Sequence, residues 1–117
     1  MAIKRIDVGA RMSQAVVHNG IVYTAGQVAQ RAPRASVADK TSDILARIDE
    51  LLAEAGTDKS KLLSATIWLV DFGDFAEMNA VWDARVSPGN TPARACVESK
   101  LAAPQFTVEI GVIAAVE

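Results

Sequence analysis

Three residues in the C-terminal third carry the chemistry that this sequence offers. Arg94 and Cys96 stand two positions apart in TPARACVES (Thr91 to Ser99), and Glu109 interrupts the apolar run FTVEIGVIAAV. In a strand, a spacing of two puts the guanidinium and the thiol on one face. A guanidinium presents a planar fork that grips a carboxylate through two parallel hydrogen bonds. A carboxylate such as Glu109 positions or deprotonates a water when its pKa suits the task. The same two charges are equally accounted for by a salt bridge, to each other or to a neighbouring subunit, because burying either alone costs several kcal/mol.

Cys96 beside a cation has the setting of an activated thiol. Nucleophilic cysteines normally use a histidine base, however, and the one histidine, His18, belongs to a distant turn. Cys96 therefore reads as a pocket-lining residue whose backbone amide matters more than its sulfur. Gly26 in YTAGQ stands at a strand end, where the backbone is open to close approach. None of the G-x-G-x-x-G, P-loop, H-E-x-x-H or G-x-S-x-G patterns occurs.

The elements that must position these residues are legible from their periods. QAVVHNGIVYTAGQV places two β-prone runs around Asn19-Gly20, the preferred pair of a two-residue hairpin, because both positions need positive φ. QRAPRA reads as a loop. From Ser36 to about Ala55 the period becomes helical, with Val37, Ile44, Ile48, Leu51, Leu52 and Ala55 on one stripe, Ser36 as cap and Gly56 as stop. KLLSATIWLVD predicts a strand with Leu63, Ala65, Ile67 and Leu69 on its apolar face. GDFAEMNAVWDARV predicts a second helix, capped by Asp74 with Glu77 three residues on, its inward stripe formed by Phe75, Met78 and Trp82. In the last strand Phe106, Val108, Ile110, Val112, Ala114 and Val116 point one way and Glu109 the other. The expected order is hairpin, helix, strand, helix, strand, strand: an α+β fold with two helices on one face of a mixed β-sheet.

With 117 residues, the expectation is a single domain, 1–117. Net charge is −2, and the Lys and Arg residues are scattered, which argues against nucleic acid or an anionic membrane as partner. No run approaches a membrane span, the first residues lack an apolar signal core, and a cytoplasmic protein is expected. One cysteine and one histidine exclude an internal disulfide and disfavour zinc. Half of the residues are apolar and the mean hydropathy is +0.19, high for a chain of this size. Burial of one sheet face against copies of itself would account for that.

PARACVE followed by TVEIGVIAAV, with IVYTAGQV near the start and DFAEMNAVWD in the middle, resembles the Rid family of reactive intermediate deaminases, also called YjgF-like. The likeness runs along essentially the whole chain, and within the family it points to a short-chain branch. It implies a chorismate-mutase-like fold and a homotrimer whose sheets form a central barrel, with three clefts between subunits. It also implies hydrolysis of enamines and imines such as 2-aminoacrylate to 2-oxo acids and ammonia, with no metal or organic cofactor. By this resemblance Arg94 matches the family arginine that binds the substrate carboxylate, and Glu109 the glutamate that positions water. Backbone near Gly26 and Cys96 completes the pocket, and Asn79 matches a helix asparagine near the cleft, although a plain surface amide reads as well. Two departures stand out: Ala25 replaces a serine before the glycine, and Met12 replaces a tyrosine. Two hydroxyls facing the cleft are thereby lost, which favours a bulkier or more apolar imino acid, or plain binding of a 2-oxo acid.

Overall fold

The computed structural model describes residues 2–32 and 34–117. Pro33, in the QRAPRA loop, lies outside them. The elements are β1 (Lys4–Val8), β2 (Ser13–His18), β3 (Ile21–Thr24), β4 (Gln27–Val28), α1 (Val37–Ala55), β5 (Leu62–Leu69), α2 (Phe75–Arg85), β6 (Ala93–Glu98) and β7 (Val108–Ala115). The strands form one mixed sheet in the order β1-β2-β3-β7-β5-β6, with β4 also paired to β7. Among the described residues only β5 and β6 pair in parallel, since α2 lies between them in sequence and carries the chain back.

The hairpin forms where Asn19 and Gly20 allow it, at φ of 52° and 75°. Helix α1 begins at Ser36, whose side chain accepts from the Asp39 amide, and ends at Gly56 in the left-handed region. Its buried stripe of Ile44, Ile48, Leu51 and Leu52 packs on a sheet face made of Ile6, Ala15, Val22, Ala65, Ile67, Leu69, Val108, Ile110, Val112 and Ala114. Each fully buried aliphatic side chain contributes about 1.5–3 kcal/mol. Lys40, also buried, extends from α1 to the β6–β7 connection and donates to the Gln105 carbonyl at 2.7 Å and Thr107 Oγ1 at 3.3 Å.

Four local expectations are corrected. Leu63 is 48% exposed, because the register shifts between Leu62 and Ser64 and Leu62 packs on the core instead. Phe75 is 36% exposed, although Met78 and Trp82 are buried as expected. It opens α2 at the margin of the sheet, one turn beyond the core. Asp74 makes no capping bond; Asp71 caps a short 3₁₀ turn before α2, and Glu77 accepts from the Ala38 amide at the start of α1. Finally, β1 joins the sheet, although only Ile6 of KRIDV is buried.

Candidate active site

Strand β6 lies at the sheet edge, and its register sets the direction of its side chains. Arg94 pairs with Ala65 and Cys96 with Ile67, both buried beneath the helices. Arg94 and Cys96 therefore point to the helix face. Arg94 Nη1 donates to Asn79 Oδ1 at 2.8 Å, and the guanidinium carbon lies 5.3 Å from the Trp82 ring centre and 5.9 Å from that of Phe75. Phe75, Asn79 and Trp82 recur at helical spacing on one side of α2, so one helix face forms the whole cradle. Cation–π contacts and one neutral hydrogen bond hold the group without neutralising it. Among the described residues Arg94 enters no ion pair.

Cys96 is half-buried, and burial pushes its thiol above the ordinary value by more than the Arg94 charge pulls it down. The protonated thiol lines the space beside Arg94.

Glu109 occupies the other face. It pairs with Trp68 on β5 and Val28 on β4, in the row opposite to the buried one. The expected alternative of an Arg94–Glu109 salt bridge within one chain is thus corrected: the sheet separates the two charges.

The setting of Glu109 depends on a break between β3 and β4. Thr24 Oγ1 accepts from the Val112 amide at 3.0 Å and lies 3.4 Å from the Val112 carbonyl, so a side chain replaces backbone in the ladder. The Ala25 amide donates to the Gln14 carbonyl at 2.8 Å. Buried Gln27 donates through Nε2 to the Ala25 carbonyl at 3.0 Å and to Gln14 Oε1 at 2.9 Å. These bonds pin the bulge, and it lays Gly26 against the Glu109 carboxylate. A Cβ on Gly26 would overlap a carboxylate oxygen and lie 2.8 Å from Cδ. The close approach that a glycine permits here is taken by Glu109 itself. Burial raises the Glu109 pKa above the ordinary 4.5.

The seven candidate residues thus fall into two groups. Arg94, Cys96 and Asn79 share the β6–α2 edge. Glu109, Gly26 and Ala25 share the β3–β4 bulge, and Met12, 47% exposed in the β1–β2 connection, lies two residues before Gln14, to which Ala25 bonds. A single chain does not bring the two groups together. The sequence reading passed over Thr24 and Gln27, which build the bulge; a glutamine directly after Gly26 in an apolar strand was their only signal.

Comparison with known proteins adds to this geometry. Residues 2–116 match the family model described as Endoribonuclease L-PSP. The RutC family protein YoaB of Escherichia coli is 44% identical over 116 residues, covering 99% of this chain and 100% of YoaB. A RutC family protein of Haemophilus ducreyi is 44% identical over 114 residues, 97% of each chain. The crystal structure of NMB1025 from Neisseria meningitidis, a member of the YjgF protein family, superposes with a TM-score of 0.96 at 47% identity, covering 100% of this chain and 97% of that one. By sequence along nearly its whole length, and by close superposition of the fold, the chain belongs to the L-PSP family of YjgF and RutC proteins.

Proposed function

We propose that the protein hydrolyses small 2-imino acids, and the enamines in equilibrium with them, to 2-oxo acids and ammonia, in a site formed between copies of the chain. The observation that carries this reading is the state of its two charges. Arg94 is exposed, oriented and unneutralised, as a carboxylate receptor must be. Glu109 is half-buried, and burial raises its pKa, the direction that suits a general base.

The chemistry follows from those states. Arg94 anchors the substrate carboxylate and so fixes C2 of the imine. Starting from the iminium, Glu109 takes a proton from water while the water oxygen bonds to C2 and the C=N π pair neutralises the nitrogen. Glu109 then returns that proton to the amine; as C–N breaks and ammonia leaves, the hydroxyl oxygen forms C=O and its proton passes back to the Glu109 carboxylate. Free imines hydrolyse in water already, so orientation supplies much of the gain. Because Arg94 and Glu109 lie on opposite faces of one sheet, the reading requires the Arg94 edge of one copy to meet the Glu109 face of another. Two features support such packing: among the described residues β6 pairs on one side only, and Tyr23 and Val97 are 46% and 42% exposed on the helix-free side. The family likeness suggests that three copies close the ring.

The test uses a flavin amino-acid oxidase to generate imino acids in situ, with 2-oxo acid trapped as the semicarbazone. Acceleration by the wild type that Arg94→Ala removes is the expected result. A folded oligomer that accelerates no imine would instead favour a carboxylate-binding module, the reading to which the missing hydroxyls at Ala25 and Met12 lend weight. The endoribonuclease in the family description finds little support in a net charge of −2 without a basic stripe.

A further inference from the structure

The Arg94 side of the site extends beyond the guanidinium. Arg94, Cys96 and Glu98 alternate along the helix face of β6, a run of about 13 Å at the usual rise per residue. Helix α2 and the 3₁₀ turn before it run alongside in the opposite sense. Asn79 meets Arg94 at one end, and the Phe72 amide donates to Glu98 Oε2 at 3.1 Å at the other. The strand and the helix therefore flank a strip of surface with a cation at one end and half-buried Cys96 beside it. Its wall is aromatic: the Phe72 and Phe75 rings pack at 5.5 Å between centres with a tilt of 31°. Both stay in water, at 45% and 36% exposure, which is an unfavourable place for two large apolar side chains unless something covers them.

We infer that this pair is the specificity wall of the Arg94 site and selects carboxylates bearing an aromatic or large apolar side chain. The inference rests on the reading of Arg94 as the carboxylate anchor. A substrate held there by its carboxylate directs its side chain either into water or along this strip. A phenyl group along the strip stacks on the exposed Phe72 and Phe75 rings, at offset or tilted geometry. Cys96, uncharged beside it, adds an apolar floor. Pyruvate and its imine, with one methyl group, lie beside Phe75 at most and leave the Phe72 ring uncovered.

The test compares binding with turnover. Dissociation constants for pyruvate and phenylpyruvate are measured by calorimetry on the wild type, Phe72→Ser and Phe72→Leu, with subunit mass followed by light scattering. Phe72 is chosen because it does not touch Arg94, so its loss leaves the anchor in place. The expected result is a preference of about tenfold for phenylpyruvate in the wild type, lost in Phe72→Ser, partly kept in Phe72→Leu, with pyruvate affinity unchanged. Equal affinities in the wild type, or a preference that survives Phe72→Ser, overturn the inference. So does a Phe72→Ser protein that changes subunit mass and leaves the ratio alone, since the pair would then be a contact between copies. The same proteins are assayed on oxidase-generated imines of alanine and phenylalanine. A binding preference that Phe72→Ser abolishes, together with no acceleration of either imine, upholds the wall and refutes the hydrolase. Loss of all carboxylate binding in the wild type would refute both.

Discussion

The β6–α2 edge and the β3–β4 bulge handle charge by opposite means. At the edge, Arg94 stays in water and is oriented by side chains: one amide oxygen and two aromatic faces. At the bulge, Glu109 is partly withdrawn from water and is positioned by backbone, against a glycine that leaves room for nothing else. The contrast matches what the two proposed tasks would demand. A receptor for an anion must keep its charge and its free donors, so weak neutral contacts suit it. A base must have a raised proton affinity, and desolvation without a cationic partner supplies that.

The largest effect that would sharpen this contrast belongs to Glu109. Glu109→Gln is expected to lower kcat about 1,000-fold with pyruvate affinity unchanged, measured in the oxidase-coupled assay beside calorimetry. A rate within threefold of wild type would remove Glu109 from the mechanism. Arg94→Ala is expected to lose about 100-fold in kcat/KM, mainly as lost carboxylate binding. Mixing these two inactive proteins under conditions that exchange subunits then tests the geometry. If each site takes Arg94 from one copy and Glu109 from the next, about a quarter of the sites in an equal mixture are whole. No recovery, with exchange verified by mass spectrometry, would rule out a shared site.

Gly26→Ala probes the bulge more gently. The new methyl group must displace the Glu109 carboxylate, so a loss of about tenfold in kcat is expected while phenylpyruvate and pyruvate bind as before. An unchanged kcat would mean that the carboxylate position is not critical.

The smallest effect is on stability. The raised pKa of Glu109 means that its ionisation is disfavoured in the fold. That penalty is absent below the ordinary carboxylate pKa of 4.5 and grows as pH rises through the folded-state value. Glu109→Gln is thus expected to melt slightly higher than wild type at pH 8 and at the same temperature at pH 4. A lower melting temperature at pH 8 would show that the carboxylate stabilises the fold.

Much of this was legible before the fold was known. Helix α1 declared both of its ends through Ser36 and Gly56, and Asn19-Gly20 declared the hairpin, because caps and turns depend on one or two residues. Strand β1 was not legible: KRIDV carries three charges and buries only Ile6, and backbone pairing to β2 holds it there. Phe75 shares its spacing with Met78 and Trp82, and period alone does not reveal that the helix starts past the margin of the core.

The sequence by itself determined the parts: which residues share a face of one strand or one helix, where the turns fall, and that Arg94 and Glu109 are charges set in apolar strands. Those are consequences of side-chain periods of two and 3.6, which act over a few neighbours. Only the tertiary structure decided that the two charges lie on opposite faces. That depends on how β6 and β7 register against β5, and strand register is set by long-range packing and by bulges. It likewise decided that Gly26, distant in sequence from Glu109, makes room for its carboxylate, since no local rule brings a bulge between β3 and β4 to the middle of the last strand.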